Sequence, residues 1–425
     1  MTIAFDPYAV EKAHARHPYS KHDLSSKSFW SQTFDEREKT FAALRRDEPV
    51  GFHPPTEVPF SHEEQGFWAI TRADDIADVA RNDETFISGM GITADAYPWE
   101  SAATMMFFHG QDGPLHQRNR SLVGKAFTPR QVSKYFDDIQ SSAKEIVDDI
   151  VGAGDIDFVE SVAARLPAMT GAKLMGIPPD DQGDFTAASN RLIGKSDPTL
   201  GVPEDPARAV AEAKDYLYDL GTRIAAYRRK NPSSDLITKL VEAEENGERL
   251  SDGDIGGFTL LMSVASNDTT KHSTTHVLRA LLANPDQLAW LKEDYANRIT
   301  IALDEFVRYA SPVIHHARTV TRDVEFLGQH MSTGDKVVMF YCSGNRDEAR
   351  FDEPMKFDLQ RMPNPHVAFG GGGVHYCLGN RVALAMLQKI YQELLSRTTI
   401  EITGEPTYLV SNVINGITSL PVHVR

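Results

Sequence analysis

The chain has 425 residues, with 44 Lys and Arg against 60 Asp and Glu, a formal net charge of −16 and a hydrophobic fraction of 41%. This hydrophobic content is sufficient for a core and excludes a disordered chain. The acidic balance argues against nucleic acid and against an anionic membrane surface as partners.

Two Cys residues are too few for a disulfide framework, so we expect both to be reduced in a cytoplasmic protein. The N-terminus lacks a basic segment followed by an apolar stretch, which argues against a secretory signal. The best candidate for a membrane span, residues 258–265, is far shorter than the roughly 20 apolar residues that a bilayer requires.

In the first half of the chain, apolar spacing predicts a helix over 34–46, a strand over 67–71 and a helix that Asp74 caps and that runs through Ala80. Residues 84–100 resemble a loop, and 105–108 form a short apolar run. Helical patterns dominate from about 130 to 247, for example over 139–151 and 207–229.

In the second half, Ser251 is expected to cap a long helix that continues to about residue 283, where Asn284 and Pro285 end it. Helices are predicted over 287–292, 299–309 and 378–395, and β-type residues occur over 320–326 and 336–341. Short strands and turns fill 399–424. Repeats and long linkers are lacking, which predicts one domain over 1–425 that is mainly α with a smaller β component.

The most informative segment is a glycine-rich loop, residues 365–381, with the sequence PHVAFGGGGVHYCLGNR. The phosphate-binding interpretation fails because no Lys-Ser/Thr pair follows the glycines. A zinc site fails because the other cysteine, Cys342, lies 35 residues upstream in a strand-like segment. The loop fits a single thiolate that lies at the start of a helix and is approached closely by a flat ligand. A thiolate of this kind is an axial ligand of haem iron.

With Phe369, His375 and Gly379 around Cys377, this loop resembles that of the cytochrome P450 family of haem-thiolate monooxygenases. The resemblance extends over nearly the whole chain. It implies a triangular prism made of a helical lobe and a small β-rich lobe, with haem b bound through Cys377, against the alternative of a buried, inert thiol. One departure is that Phe369 lies eight residues before the cysteine instead of seven; the extra glycine is similar to bacterial members that oxidise sterols and methyl-branched lipids.

A second motif, Glu305 and Arg308, places an acid and a base on one helix face. By itself this is an ordinary helix pair. In the family that the chain resembles, such a pair is structural and forms a network with a later arginine, and Arg361 occupies that place.

A third motif lies in the middle of the long predicted helix. Asp268 followed by Thr269 resembles the acid–alcohol pair with which the family delivers protons to bound dioxygen. A plain polar helix face is the alternative. Ser266 stands where the family most often has Gly, and a serine can bend a helix by bonding to a carbonyl one turn earlier.

The resemblance also implies the remaining site residues. His116, Arg120, Arg318 and His375 match the cations that hold the haem carboxylates. A mostly apolar substrate pocket is expected from Met106, Phe107, Leu261, Ala265, Val313, Ile314 and Ile414.

The predicted activity is insertion of one oxygen atom of O2 into a C–H bond of a lipophilic substrate: a sterol, a branched lipid or a terpenoid. Since no reductase domain is recognised within 1–425, a separate ferredoxin and ferredoxin reductase are expected to supply the electrons, and Arg118, Lys125, Arg130 and Arg381 are candidates to dock the ferredoxin. A haem-binding sensor or carrier without turnover and a haem-free helical binding protein are the alternatives.

Overall fold

The computed structural model describes residues 17–57, 64–96, 107–193 and 206–425. In this part of the chain the helices are α1 (Lys27–Trp30), α2 (Phe34–Asp47), α3 (Ala73–Arg81), α4 (Gly113–Gly124), α5 (Pro129–Ile150), α6 (Arg165–Met175), α7 (Gln182–Ile193), α8 (Pro206–Arg228), α9 (Leu236–Glu242), α10 (Asp252–Ala265), α11 (Asn267–Ala283), α12 (Pro285–Glu293), α13 (Tyr295–Ala310), α14 (Tyr341–Gly344) and α15 (Asn380–Arg397).

The strands are short and form small sheets. They are β1 (Val50–His53), β2 (Phe67–Ile70), β3 (Phe86–Ile87), β4 (Gly154–Asp157), β5 (Glu244–Glu245), β6 (Glu248–Arg249), β7 (His315–Val320), β8 (Val324–Phe326), β9 (Gln329–Met331), β10 (Lys336–Phe340), β11 (Ile400–Ile402), β12 (Thr407–Tyr408), β13 (Ile417–Ser419) and β14 (Pro421–Val424).

The largest sheet has the order β1-β2-β10-β7-β3, with β10 parallel to β2 and antiparallel to β7. Successive residues of a strand point to opposite faces, and both faces of this sheet are buried. Phe67 and Ala69 pack on one side and Trp68 and Ile70 on the other. Burial on both faces explains why β2 is apolar throughout instead of alternating.

The main hydrophobic core lies among the helices from α4 to α15 and is continuous with β13 and β14. The sheet has its own two smaller clusters. The molecule therefore has a large helical part and a smaller β-rich part, as the sequence predicted. Within the described segments, no helix is both long and apolar enough to cross a bilayer.

Two sequence predictions about helix α3 and the long central helix were wrong in detail. Asp74 does not cap α3: the cap position is Arg72, and the Ala73 N–H is satisfied by the carboxylate of Asp347 at 2.8 Å, while Asp74 pairs with Arg350. The predicted helix from Ser251 to about residue 283 does begin with a capping box of Ser251 and Asp254, but it is divided at Ser266 into α10 and α11.

Candidate functional site

The cysteine loop lies between the β-rich part and the start of α15. Its four glycines, 370–373, all have positive φ angles, from +71° to +118°, a region that favours glycine. At Gly373 the loop approaches α3 so closely that a Cβ would lie 2.0 Å from the carbonyl oxygen of Ala80. The loop is closed by a 3.0 Å hydrogen bond from the Cys377 N–H to the Phe369 carbonyl.

Cys377 is half-buried and directly precedes the first turn of α15. Burial raises the pKa of its thiol, whereas the N–H of Gly379, the charge of Arg120 and the N–H of Asn380 act in the opposite direction. These groups all favour the anionic sulfur, as expected at a helix N-terminus. A Cβ built on Gly379 would meet no protein atom within 4 Å, so space is open beside the cysteine.

A group of basic side chains, called here the cationic group after its two arginines, faces the same loop. The rings of His116 and His375 are 4.2 Å apart, and Arg120 donates a hydrogen bond to the carbonyl of Tyr376. Arg318 comes from β7, is 3% exposed and donates to the carbonyl of Ala317 at 2.7 Å. Burial lowers the pKa of His116 to about 4 and also lowers the pKa of Arg318.

His375 is held from one side only. Its Nε2 lies 3.1 Å from the Ser88 hydroxyl and 3.7 Å from Asp112 Oδ1. The N–H groups of Ser88 and Gly89 bond to the same carboxylate, and together with His375 they keep the pKa of Asp112 below its usual range despite burial. The other ring nitrogen of His375 points away from these partners.

These residues fit a flat group with carboxylate arms. Nε2 of His116, Nδ1 of His375 and Nδ1 of His316 are buried and have no hydrogen-bond partner within the described residues. In the same part of the chain, Arg318 makes no ion pair with a carboxylate. Buried polar atoms are usually satisfied, so these donors favour an anionic ligand, as the haem carboxylates would be.

The break between α10 and α11 has a direct cause in Ser266. Its hydroxyl donates at 2.7 Å to the Met262 carbonyl, one turn earlier, and shares this acceptor with the Ser266 N–H at 3.1 Å; serine bonds of this kind favour a bend in a helix. Ala265, just before the break, is exposed, and Thr269 one turn later is half-buried. The Thr269 hydroxyl donates to the Ala265 carbonyl at 2.8 Å, so both residues lie on the accessible face of the bend.

Asp268 lies beside this face but is only 3% exposed. Lys271 Nζ is 2.6 Å from its Oδ1, and the Nε2 of His272 is 4.0 Å from the same oxygen. The Nδ1 of His272 accepts the Ile417 N–H at 3.2 Å, which leaves the proton of the neutral ring on Nε2, facing the carboxylate. Asp268 is thus a buried carboxylate next to two donors.

Glu305 and Arg308 form a bidentate pair, with both N–O distances 2.7 Å and both side chains fully buried. Arg308 also donates to the carbonyls of residues 345, 354 and 356, and Glu305 accepts from the Asp358 N–H and the Asn364 amide. Arg361 Nε lies 3.4 Å from the same carboxylate, without the alignment of a hydrogen bond. The structure therefore brings the three predicted residues together.

The predicted pocket residues do not all lie together. Val313 and Ile414 pair across an isolated β-bridge, and both are half-buried. Phe107 and Leu261 are buried in the helical core; Phe107 packs against α10 at Gly257, and Leu261 lies one turn before the accessible Ala265. Ile314 packs away from Val313, in the sheet cluster with Cys342, because adjacent residues of an extended chain point to opposite sides; its place in the pocket stays a prediction. Met106 lies outside the described residues.

Two histidines that were not among the predicted site residues lie beside this group: His316, which the sequence suggested only as a pocket or surface residue, and His109. The rings of His109 and His316 are 4.8 Å apart, and His109 also lies 6.2 Å from the ring of His375. Burial lowers the pKa of His109 to about 3. A signal was available for His316, because it lies two residues before Arg318 on one strand and so shares its face; none was available for His109.

Comparison with known proteins agrees with this geometry. The family model described as Cytochrome P450 matches residues 203–414. A Mycobacterium tuberculosis protein named methyl-branched lipid omega-hydroxylase is 38% identical over 412 residues, which cover 95% of each chain. A Rhodococcus jostii protein named steroid C26-monooxygenase is 35% identical, over 91% of this chain and 81% of its own.

Solved structures give the same result. The structure of a Mycobacterium marinum cytochrome P450 in complex with pseudoionone is 42% identical, with a TM-score of 0.89, and the match covers 95% of this chain and 99% of that one. A Bacillus megaterium structure in complex with testosterone is 27% identical, with a TM-score of 0.78, over 91% of this chain and 98% of that one. The predicted fold is confirmed by these matches.

Proposed function

The chain belongs to the cytochrome P450 family of haem monooxygenases, and from this premise we propose that it hydroxylates a lipophilic substrate at a C–H bond with haem b bound through Cys377. The observation that carries the proposal is the thiol of Cys377 at the N-terminus of α15, beside Arg120 and the open space at Gly379. Bound haem iron supplies the activation of dioxygen and the transfer of one oxygen atom.

The cationic group around the cysteine loop would hold the two haem carboxylates. His116, Arg120, Arg318 and His375 offer charge-assisted hydrogen bonds, which are strong when both partners are buried. The unpartnered ring nitrogens of His116 and His375 and the lowered pKa of the buried Arg318 guanidinium support this role. Phe369 would pack near the cysteine, where its carbonyl already closes the loop.

Asp268 and Thr269 would manage protons for the reaction. The buried Asp268 carboxylate, beside Lys271, can take a proton from outside the pocket and pass it on. The Thr269 hydroxyl bonds to the Ala265 carbonyl and keeps two lone pairs on the accessible face, so it can accept a proton from a water and donate in turn. The interruption between α10 and α11 at Ser266 would make room for dioxygen and water at this point.

The substrate that we propose has a branched or cyclic hydrocarbon body. Apolar residues support this, since Phe107, Leu261, Ala265, Val313 and Ile414 offer little hydrogen bonding to a ligand. The names of the similar proteins, which refer to a methyl-branched lipid and a steroid, favour the same class. Electrons would come from a separate ferredoxin with its reductase.

The test of the haem assignment is the carbon monoxide difference spectrum of the reduced protein, beside Cys377→Ser. We expect the red-shifted Soret band of a thiolate-bound haem in wild type and its loss in the variant. Loss of the band in wild type would contradict the proposal. For the substrate, titration with sterols, methyl-branched fatty acids and terpenoids should shift the Soret band for at least one class; no shift with any class would contradict it.

Turnover separates the enzyme from a haem-binding sensor or carrier. A surrogate ferredoxin, reductase and NADPH should yield a hydroxylated product from a substrate that shifts the spectrum. Product formed at the rate of the Cys377→Ser control would favour the sensor instead.

A further inference from the structure

A short acidic hairpin covers basic residues next to the cysteine loop. Strands β5 and β6 are joined by Asn246 and Gly247, whose φ angles of +52° and +81° suit a tight two-residue turn. The hairpin, residues 244–249, carries three glutamates and one arginine, Glu244, Glu245, Glu248 and Arg249. It therefore has a net charge of about −2.

The hairpin lies against one face of α4. Arg118, Ser121 and Lys125 follow at intervals of three and four residues, which places them on the same side. Arg118 pairs with Glu248 and donates to the Arg249 carbonyl at 3.0 Å. Ser121 donates to Glu245.

Lys125 completes this contact. Its Nζ donates to the Glu244 carbonyl and lies 3.5 Å from Glu245 Oε2. The two cations at the ends of this face, Arg118 and Lys125, are therefore both neutralised by the same hairpin. They are also two of the residues that the sequence suggested for docking a ferredoxin.

The other face of α4 carries the haem site. Arg120, two residues after Arg118, donates to the carbonyl of Tyr376, next to Cys377. The hairpin thus covers the charged surface that borders the cysteine loop, where electrons must enter if Cys377 holds the haem. Tyr376, next to Cys377, is exposed on this border.

The contacts that hold the hairpin to this face are partly exposed and separate from those that hold the chain after it. Its contacts to α4 are partly exposed, since Glu248 is 60% and Arg118 32% exposed at the side chain, and such ion pairs contribute little to stability. The chain beyond it is fixed separately: Arg229 donates to the Leu250 carbonyl at 2.6 Å and pairs with Asp252. Ser251 then caps α10.

We propose that the β5–β6 hairpin is an acidic cap on the electron-donor docking face, and that an acidic ferredoxin displaces it to bind Arg118 and Lys125. The inference rests on the proposed function, because it assumes that a ferredoxin docks beside Cys377. The cap lowers the electrostatic attraction of other anionic proteins to this face and selects a donor with enough negative charge to compete with three glutamates.

The test compares rates of haem reduction by an acidic plant-type [2Fe–2S] ferredoxin, measured by stopped flow under carbon monoxide. The cap variant is Glu244→Gln/Glu245→Gln/Glu248→Gln. We expect it to be reduced about three- to tenfold faster than wild type at low ionic strength, because electrostatic steering raises association rates by such factors or more. The advantage should nearly vanish at about 1 M salt, where the Debye length is about 3 Å.

A matched control removes the same charge elsewhere. Asp155→Asn/Glu401→Gln/Glu405→Gln changes three exposed acids; Glu401 and Glu405 follow the far end of α15, a helix of 18 residues and hence about 27 Å long. Its rate should match wild type. Adding Arg118→Gln and Lys125→Gln to the cap variant should abolish its faster haem reduction by ferredoxin.

Three results would overturn the proposal that the hairpin is a cap. They are an unchanged rate of haem reduction in the cap variant, an equal increase in the control variant, or an increase that persists without Arg118 and Lys125. Dithionite reduction of the same samples reports separately on the haem. Failure of the proposed function appears as loss of the carbon monoxide band in every sample, including wild type. Intact bands with equal ferredoxin rates, or with no reduction by ferredoxin, overturn the cap alone.

Discussion

The buried pair of Glu305 and Arg308 allows a quantitative prediction for Arg308→Met. The change leaves the Glu305 carboxylate buried without its bidentate partner, and breaking such a pair by removing one member costs about 3–5 kcal/mol. Three backbone carbonyls also lose their donor, and the one that is fully buried, at residue 345, adds about 1 kcal/mol. The expected loss is therefore at least about 4 kcal/mol, a large part of the roughly 5–15 kcal/mol that folded domains have.

Urea unfolding of the purified protein, followed by fluorescence and by far-ultraviolet circular dichroism, measures this loss. Haem content per chain should fall as well, because the carbonyls that Arg308 holds belong to the segment that leads into the cysteine loop. Lys144→Met is the matched control: its 2.6 Å pair with Asp148 is exposed and should contribute no more than about 0.5 kcal/mol. If Arg308→Met lost no more stability than Lys144→Met, the reasoning about burial would be refuted.

Three further predictions concern protons. Thr269→Val keeps the shape but removes the hydroxyl, so the share of oxygen released as hydrogen peroxide should rise about tenfold; unchanged coupling would contradict the role of Thr269. Lys271→Met should also raise peroxide release because it removes the partner of Asp268, with rescue by Lys271→Arg; a loss that Arg fails to rescue would point to packing instead. Burial lowers the pKa of His53 to about 4 from 6.5, so the unfolded chain binds its proton first as pH falls, and stability is lost from about pH 6.5 downward. His53→Gln should therefore lose about 2 kcal/mol less than wild type between pH 7 and 5; equal losses would show that His53 is not neutral in the fold.

Local features of the sequence were sufficient to predict most of the helices and strands and to identify the cysteine loop. The capping box of Ser251 and Asp254 is formed within four residues, so its pattern predicts the start of α10 correctly. His116 and Arg120 lie four apart on α4, and helical geometry alone places them on one face. The roles assigned to these and the other site residues stay predictions until the experiments above are made.

Contacts between distant segments decided what the sequence could not show. Asp347, 274 residues after Ala73, takes the capping place that local spacing gave to Asp74. The side on which a strand residue packs depends on what covers each face of the sheet, so only the folded chain shows Ile314 in the cluster with Cys342 and His316 against His109.

The hairpin over α4 shows that the sequence does not predict which charged residues pair when they are distant in the chain. The sequence identifies Arg118 and Lys125 as basic, yet only the folded chain brings Glu245 and Glu248 against them, more than 110 residues later.

The sequence by itself determined the family, the cysteine loop and most helices, because each of these depends on residues within one or two turns of one another. The tertiary structure alone decided which basic side chains the acidic hairpin pairs with, which residues of the helix bend are accessible, and which partners hold Asp268 in place. Those properties depend on packing between segments that are distant in the chain, and such packing leaves no periodic pattern in the sequence.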